Sequence, residues 1–500
     1  MQGFFEDKKF LNNSNVICHL TDTYFIKESK IGEKIDLPGF ARIFKILDLL
    51  SNKKENNILF LHSGDFLFPS FLSSFFKGKQ IVDILNQCGL NYCTLGNHDF
   101  DGGSKVLKKR IKESKFKYII TNLSTPKSFS SKILNYDVWP RKTPIVAILG
   151  IAGKMTVEKA IDSGFRVKNL KNSLKKNMAE IREKFPDIKI LIVLSHMGDQ
   201  EDLQLKAILN KTWKSNSVIF GGHDHNKLIS YNPKLDKCML VKGKSNARTM
   251  QIINLNGIIN KQNQNLEKQL LILGSKDFQR VKPSRKIEEK IESWFEKLKK
   301  QNRLPSNKIV KKFPKGVVLD GTESSLRQGS TNLGNFVTDC LKNYTNSDIA
   351  LVNSGHFRCD RYFLEKLRVS DLFNIFVMEQ KSVILVTKLS KKECLLLLKH
   401  AYSEVGKGKV LQVSKDVLDV LNKPSSDDKV RVAVISDMLF TDEDGFANII
   451  AKQRKISPKK FRNSLKKDVL SDTNLIEGII KTANQVNYDS KIRFQVGKKY

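Results

Sequence analysis

Short apolar runs alternate with amphipathic stretches through the first half of the chain, an α/β pattern. Val16–Asp22, Asn57–Asp65, Tyr92–Asp99, Val146–Gly153, Ile188–Gly198 and Ser217–His225 read as apolar strands. Between them, Phe40–Ser51, Lys79–Gln87 and Leu170–Phe185 carry helical spacing. Several strands stop in clusters of Asp, Asn, His and Gly, and open α/β sheets gather ligands at strand C-termini. Residues 281–302 form a Lys/Glu-rich helical pattern between Pro283 and Pro305; polar on most faces, it reads as a connector. The α/β pattern resumes after Lys315. Helices are expected near Gly334–Tyr344 and Lys391–Tyr402, and strands at Ile349–Asn353, Ser382–Lys388, Leu411–Ser414 and Val430–Ser436. The expected division is a first domain (14–275), a helical linker and hinge (281–302) and a second domain (303–485). A length of 500 residues agrees, being too great for one ordinary core.

Composition changes this picture little. The chain is 40% hydrophobic and 28% charged, as a globular protein is and a disordered one is not. The net charge of +35 has two readings, a surface that draws in polyanions or lysine-rich solvated faces throughout. The lysines are spread along the whole chain, which favours the second. No specific nucleic-acid partner is therefore expected, although the basicity helps to gather a phosphorylated substrate. No apolar run is long enough for a bilayer, and Met1 to Asn15 carries acids where a signal peptide would be apolar. The expectation is a cytoplasmic protein without a membrane partner, or an exported one if the N-terminus is incomplete. Seven scattered cysteines without metal-like spacing are expected to be reduced thiols.

The chemistry lies at the strand ends. Four of the eight histidines, His98, His196, His223 and His225, sit there beside Asp, Asn or Gly. In chain order the set runs Asp22, Asp65, Asn97-His98-Asp99-Phe100-Asp101, His196 and Gly221-Gly222-His223-Asp224-His225. Carboxylates, imidazoles and an amide oxygen are ligands suited to Zn, Mn, Fe or Mg. Two divalent ions about 4 Å apart need a carboxylate that spans them, and Asp65 is the natural one. Gly64 and Gly221-Gly222 let the backbone turn tightly against such ions. A lone strand histidine is ordinarily a core or surface residue, and an Asp-Gly pair is ordinarily a turn. Five strand ends that all carry metal-type residues call for another explanation.

Thr21-Asp22-Thr23-Tyr24, Ser63-Gly64-Asp65, Gly96-Asn97-His98-Asp99-Phe100-Asp101, Ser195-His196 and Gly222-His223-Asp224-His225 resemble the motifs of the calcineurin-like metallophosphoesterases. More specifically, they resemble the 5'-nucleotidase and UDP-sugar hydrolase family. The resemblance implies an N-terminal β-sandwich flanked by helices, then a helical linker and a C-terminal α/β nucleotidase domain. It also implies a domain rotation that delivers substrate, with the 281–302 helix as hinge. Two divalent metal ions follow, one held by Asp22, Asp65 and His225, the other by Asp65, Asn97, His196 and His223. His98 would stay off the metal, oriented by Asp101, to stabilise the transition state or protonate the leaving oxygen. Asp101 also reads as a helix N-cap, which is compatible with that role. Tyr24 stands where most of the superfamily has histidine, as it does in one branch of the nucleotidases. A phenol is a poor ligand near neutral pH, so the first ion is expected to be held more weakly or through water.

In the second domain, Leu326-Arg327-Gln328-Gly329-Ser330-Thr331-Asn332-Leu333-Gly334-Asn335 and Asn353-Ser354-Gly355-His356-Phe357-Arg358 resemble nucleotidase motifs. The resemblance puts Arg327, Asn353 and Arg358 on the nucleotide, where a guanidinium fork matches phosphate oxygens and ribose edges. Asp442-Glu443-Asp444-Gly445-Phe446 resembles the loop that offers a ring to the base. Stacking on Phe446 would contribute about 1–3 kcal/mol; the plain alternative is a buried ring after a turn glycine. The implied activity is hydrolysis of nucleoside 5'-monophosphates, or related nucleotide esters, to nucleoside and phosphate. A 2',3'-cyclic phosphodiesterase or UDP-sugar hydrolase, and a nucleotide-binding protein with impaired catalysis, stay open beside it.

Overall fold

The computed structural model describes residues 15–51, 57–129, 132–259, 265–377, 383–403, 405–406, 408–423, 428–440, 445–466, 469–491 and 493. Ser382 and Asp442 to Asp444, part of the sequence expectations, lie outside them. The chain forms two compact units that divide between Gln301 and Asn302.

The first unit is a two-sheet sandwich. Its strands are β1 (Val16–Leu20), β2 (Ile58–His62), β3 (Tyr92–Cys93), β4 (Lys117–Ile119), β5 (Ile133–Leu134), β6 (Tyr136–Trp139) and β7 (Val146–Ala152). They continue as β8 (Ile190–His196), β9 (Asn216–Gly221), β10 (Leu228–Ser230), β11 (Cys238–Lys242), β12 (Met250–Asn254) and β13 (Leu270–Leu273). One sheet has the order β13-β12-β1-β2-β3-β4-β5 and the other β10-β11-β9-β8-β7-β6. Strands β1, β2 and β3 run parallel in the first, and β7, β8, β9 and β11 run parallel in the second. Alternate side chains explain the unbroken apolar runs. Ile148, Ile190, Ile192, Leu194, Val218 and Phe220 meet Ile17, Leu59 and Leu61 of the other sheet. Ala147, Leu149, Leu191, Val193 and Ile219 point the opposite way, against Leu174, Met178, Ile181, Leu205 and Leu209. A strand buried on both faces has no polar alternation to show.

Helices α1 (Gly39–Ser51), α2 (Lys79–Gln87), α3 (Leu170–Lys184) and α4 (Asp199–Thr212) belong to this unit. So does α5 (Arg285–Lys300), which corrects the expectation of a connector polar on most faces. Ile287, Ile291, Trp294 and Leu298 form a buried stripe on α5 at helical spacing, and the helix packs on α1 and α2. Trp294 Nε1 donates to Asp83 on α2 (3.0 Å), where Lys290 also pairs (2.9 Å). The charges dominate a count of residues, whereas the four apolar positions decide the packing.

The second unit holds a five-stranded sheet. Its strands are β14 (Ile349–Asn353), β15 (Val383–Ser390), β16 (Leu411–Val413), β17 (Lys429–Ile435) and β18 (Val469–Asn474), in the order β16-β14-β17-β15-β18. One face carries α6 (Asn332–Thr345), whose Phe336, Val337 and Leu341 share a core with Ala350 and Val352. The other carries α7 (Lys391–Ser403) and α8 (Phe446–Gln453), with Leu397, Leu398 and Ile450 against Leu351, Leu385 and Val432. All seven cysteines are free and buried, in keeping with the reading of isolated thiols.

Docking of α5 has a measurable consequence. Trp294→Ala should lower the unfolding free energy of the first unit by about 3 kcal/mol, the scale for a buried tryptophan. Urea denaturation read from Trp139 and Trp213, both in that unit, checks it, and a loss below about 1 kcal/mol would contradict the docking.

Candidate metal centre

Five parallel strand ends build the site. Asp22, Asp65 and Asn97 follow β1, β2 and β3 of one sheet, whereas His196 ends β8 and His223 and His225 follow β9 of the other. Asp22, Asp65, His223 and His225 all have positive φ, at 50°, 58°, 80° and 61°. Such strain in non-glycine residues persists where surrounding structure enforces it, and it concentrates at functional sites. Close approach sets the glycines as well. A Cβ on Gly64, at φ +87°, would lie 2.5 Å from Gly96 N, and one on Gly222 would lie 2.2 Å from Thr21 Oγ1.

One oxygen or nitrogen each from Asp22, Asp65 and His196 lies within 4.8 Å of the others, in buried surroundings. His196 Nδ1 donates to Ser63 O (2.7 Å), so Nε2 turns toward Asp65 Oδ2 (3.1 Å) and Asp22 Oδ1 (3.9 Å). Nε2 is buried with no hydrogen-bond partner in good geometry among the described residues. A lone pair facing two carboxylates repels them unless a cation intervenes, either a proton or a metal ion. Burial disfavours the imidazolium, yet the attraction of Asp65 outweighs it and pushes His196 up to about 9. Burial likewise opposes ionisation of Asp22, but His225 and His196 hold its carboxyl far below the ordinary range. Burial and neighbouring His196 push His223 down to about 3, leaving it neutral as a ligand must be. The donor set therefore fits a divalent ion.

The other expected ligands converge on the same place. His223 Nδ1 is 3.1 Å from Asn97 Oδ1, and His225 Nε2 is 3.3 Å from Asp22 Oδ1. Tyr24 does not stand apart. Its hydroxyl lies 3.0 Å from His225 Nε2, 3.4 Å from Asp65 Oδ2 and 3.5 Å from Asp22 Oδ1. His98 faces the cluster from one side, with its backbone N–H on Asp65 Oδ1 (2.8 Å) and Nδ1 on Asp101 Oδ2 (2.7 Å). Asp101 is not the cap of the next helix, which opens at Ser104 after Gly103.

Family models divide the chain as the fold does. Residues 16–227 match the calcineurin-like phosphoesterase model, and residues 311–442 match the 5'-nucleotidase C-terminal domain. The chain thus carries a calcineurin-like phosphoesterase domain followed by a 5'-nucleotidase C-terminal domain. Members of the calcineurin-like group use divalent metals, in keeping with the donor set. The chain is 29% identical over 197 residues to the NAD 5'-nucleotidase of Haemophilus influenzae, covering 38% of this chain and 31% of that protein. It is 25% identical over 229 residues to the human 5'-nucleotidase, covering 45% and 39%. The chain thus spans about a third of the length of the curated relatives it matches. The fold resembles that of a 5'-nucleotidase precursor from Thermus thermophilus, with a TM-score of 0.69 and 17% identity over 97% of this chain and 100% of that one. Among the described residues, no helix is long and apolar enough to cross a membrane.

In the nucleotidase C-terminal domain the candidates separate. Asn353 Oδ1 hydrogen-bonds His356 Nδ1 at the end of β14. Gly355 N donates to Gly408 O (2.7 Å) and Gly406 N to Arg327 O (2.8 Å), so the Arg327 and Asn353 segments border one loop. The Arg327 guanidinium pairs with Glu323 one turn earlier. Arg358 differs, since its Nε is buried without a hydrogen-bond partner among the described residues. Phe446 is a correction. Its ring is 0% exposed, packed in the core of α7 and α8 and edge-on to His400. Gly445, at φ +75°, turns the chain so that the first residue of α8 faces inward, with no face left for a base.

Two contributors carried no expectation. Asp99 accepts four backbone N–H groups, from Asp65 (2.9 Å), Phe66 (3.0 Å), Leu67 (2.9 Å) and Gly96 (2.9 Å), and so shapes the loop that presents Asp65. Its place inside the Asn97-to-Asp101 motif was the available signal. His62 accepts from Gly64 N at Nδ1 (3.1 Å) and meets Thr23 Oγ1 at Nε2 (2.8 Å), bonds that need the neutral ring. Burial, with the neighbouring His19, pushes it from 6.5 down to about 3. Unfolded chain therefore takes up a proton below about pH 6.5 that the native ring refuses, and stability falls as pH drops toward 3. His62→Gln keeps both bonds without the titration. Between pH 7 and 5 the metal-stripped variant should lose about 2 kcal/mol less stability than wild type in urea denaturation. Equal losses would contradict the neutral ring.

Proposed function

We propose that the chain hydrolyses nucleoside 5'-monophosphates, or closely related nucleotide esters, to nucleoside and phosphate with two divalent ions at the strand-end site. The observation that carries this is the convergence of Asp22, Asp65 and His196, a ligand atom of each lying within 4.8 Å of the others, with His98 beside them through its backbone N–H on Asp65 Oδ1. When bound, the ions would lower the pKa of water and offset charge on the phosphate. Asp22, Asp65 and His225 are assigned to one ion, with the Tyr24 hydroxyl beside them. Asp65, Asn97, His196 and His223 are assigned to the other. The phosphorus gains an oxygen from water and loses the ester oxygen of the nucleoside. His98 is the residue for that leaving oxygen. Asp101 holds its Nδ1–H, which directs Nε2 outward to deliver a proton. Arg358 and Asn353 are assigned to the rest of the nucleotide, supported by the unpartnered Nε of Arg358.

Phosphate release from nucleoside monophosphates, together with chromatographic detection of the mononucleotides formed from 2',3'-cyclic nucleotides, UDP-glucose and NAD, each with added Mn2+ or Zn2+, tests the reading. Asn97→Ala and His98→Ala should each lose about 100-fold or more in kcat while staying folded, and Arg358→Ala should chiefly raise KM. EDTA should abolish turnover in wild type. Undiminished activity in His98→Ala would remove that residue from the mechanism, and turnover that survives EDTA would sink the metal assignment.

A further inference from the structure

Behind the histidine loops lies a cation that the reaction does not use. Lys242 ends β11 with its side chain 1% exposed. Its ammonium meets Asp224 Oδ2 at 2.6 Å, Asp199 Oδ1 at 2.8 Å, Met197 O at 2.9 Å and Asp202 Oδ2 at 3.1 Å. Each partner lies next to a histidine of the site in the chain or hydrogen-bonds a residue that does. Asp224 lies between His223 and His225. Met197 follows His196 directly. Asp202, fully buried on α4, accepts from Ser195 Oγ (2.5 Å), the residue before His196. Asp199 accepts from Asn226 Nδ2 (2.9 Å), the residue after His225.

We propose that Lys242 is a positioning residue for the metal centre, joining the end of β8 to the His223–His225 loop so that their imidazoles converge. The inference rests on the reading that these histidines bind a divalent ion. The tether acts where it is needed. His223 and His225 both have positive φ, a backbone state that a free loop leaves. Asp224 is the residue between them, and a buried ammonium with three carboxylate neighbours holds it in place. Groups behind metal ligands commonly change metal affinity by about 10–100-fold when removed.

Binding of Mn2+ to the metal-stripped full chain, followed by the EPR signal of free Mn2+, tests this without reference to turnover. Lys242→Met should weaken Mn2+ binding at least about 10-fold. Asp224→Asn, which cuts the tether at a partly exposed side chain, should weaken it several-fold and carries the test should Lys242→Met not fold. Lys206→Met is the control, because Lys206 is a largely buried lysine on the same α4 that pairs with Asp236 (2.7 Å) and Ser230 (3.0 Å) instead. It should lower Tm and leave Mn2+ affinity unchanged. Wild-type affinity in both Lys242→Met and Asp224→Asn would overturn the proposal, as would an equal loss in Lys206→Met. Asp65→Asn separates the two readings. If it alone loses Mn2+, the positioning role fails; if it binds Mn2+ like wild type, the metal assignment itself fails.

Discussion

Two buried carboxylates, Asp22 and Asp65, face imidazole nitrogens across distances of 3.1 to 3.9 Å. That arrangement is the constraint on which the first unit depends. Without a cation, the lone pair of His196 Nε2 and the carboxylate oxygens of these buried side chains repel one another. Electroneutrality is then met by a proton on His196 or by a divalent ion among the ligands. Exchange of one for the other links metal affinity to pH. The surrounding protein is arranged to make the second option available, because His196 is fixed at Nδ1 by Ser63 O and His223 is kept neutral by burial.

The sandwich brings this about through strand direction. Parallel strands in each sheet send their C-termini to one edge, so candidate ligands separated by more than a hundred residues meet there. Most of the candidate ligands lie in loops, and buried polar groups behind them hold the loops of Asp65 and Asp224. Asp99 gathers four amide N–H groups around the Asp65 turn, His62 fixes Gly64, and Lys242 ties Asp224 to Met197. These groups are costly to bury and gain their favourable energy from the partners that each one holds. The positive φ values at four candidate ligand residues are consistent with that support.

The second unit shares the logic of strand ends but differs in chemistry. Its candidate residues are cationic or amide-bearing, and they cluster after β14 and beside the loop that contains Gly406 and Gly408. Arg327 already has an acidic partner, whereas the buried Nε of Arg358 has none among the described residues. A buried guanidinium N–H left without a hydrogen-bond partner is suited to an anionic or carbonyl acceptor.

Much of the first unit was legible in the residues themselves. The candidate ligand types, the strands they terminate and the pairing of His98 with Asp101 are all local features, written in short motifs with alternation or spacing to mark them. What the sequence determined, then, was the chemistry of the strand ends and the order of the elements that carry them. Tertiary structure decided the rest. Phe446 faces a core rather than a base because α7 lies across it, and α5 docks because four apolar side chains among many charges share one face. Lys242 finds Asp224 and Met197 across separate strands. In each case the outcome depends on which distant residue covers a given face, and burial of that face is a property of packing, not of the residue that bears it.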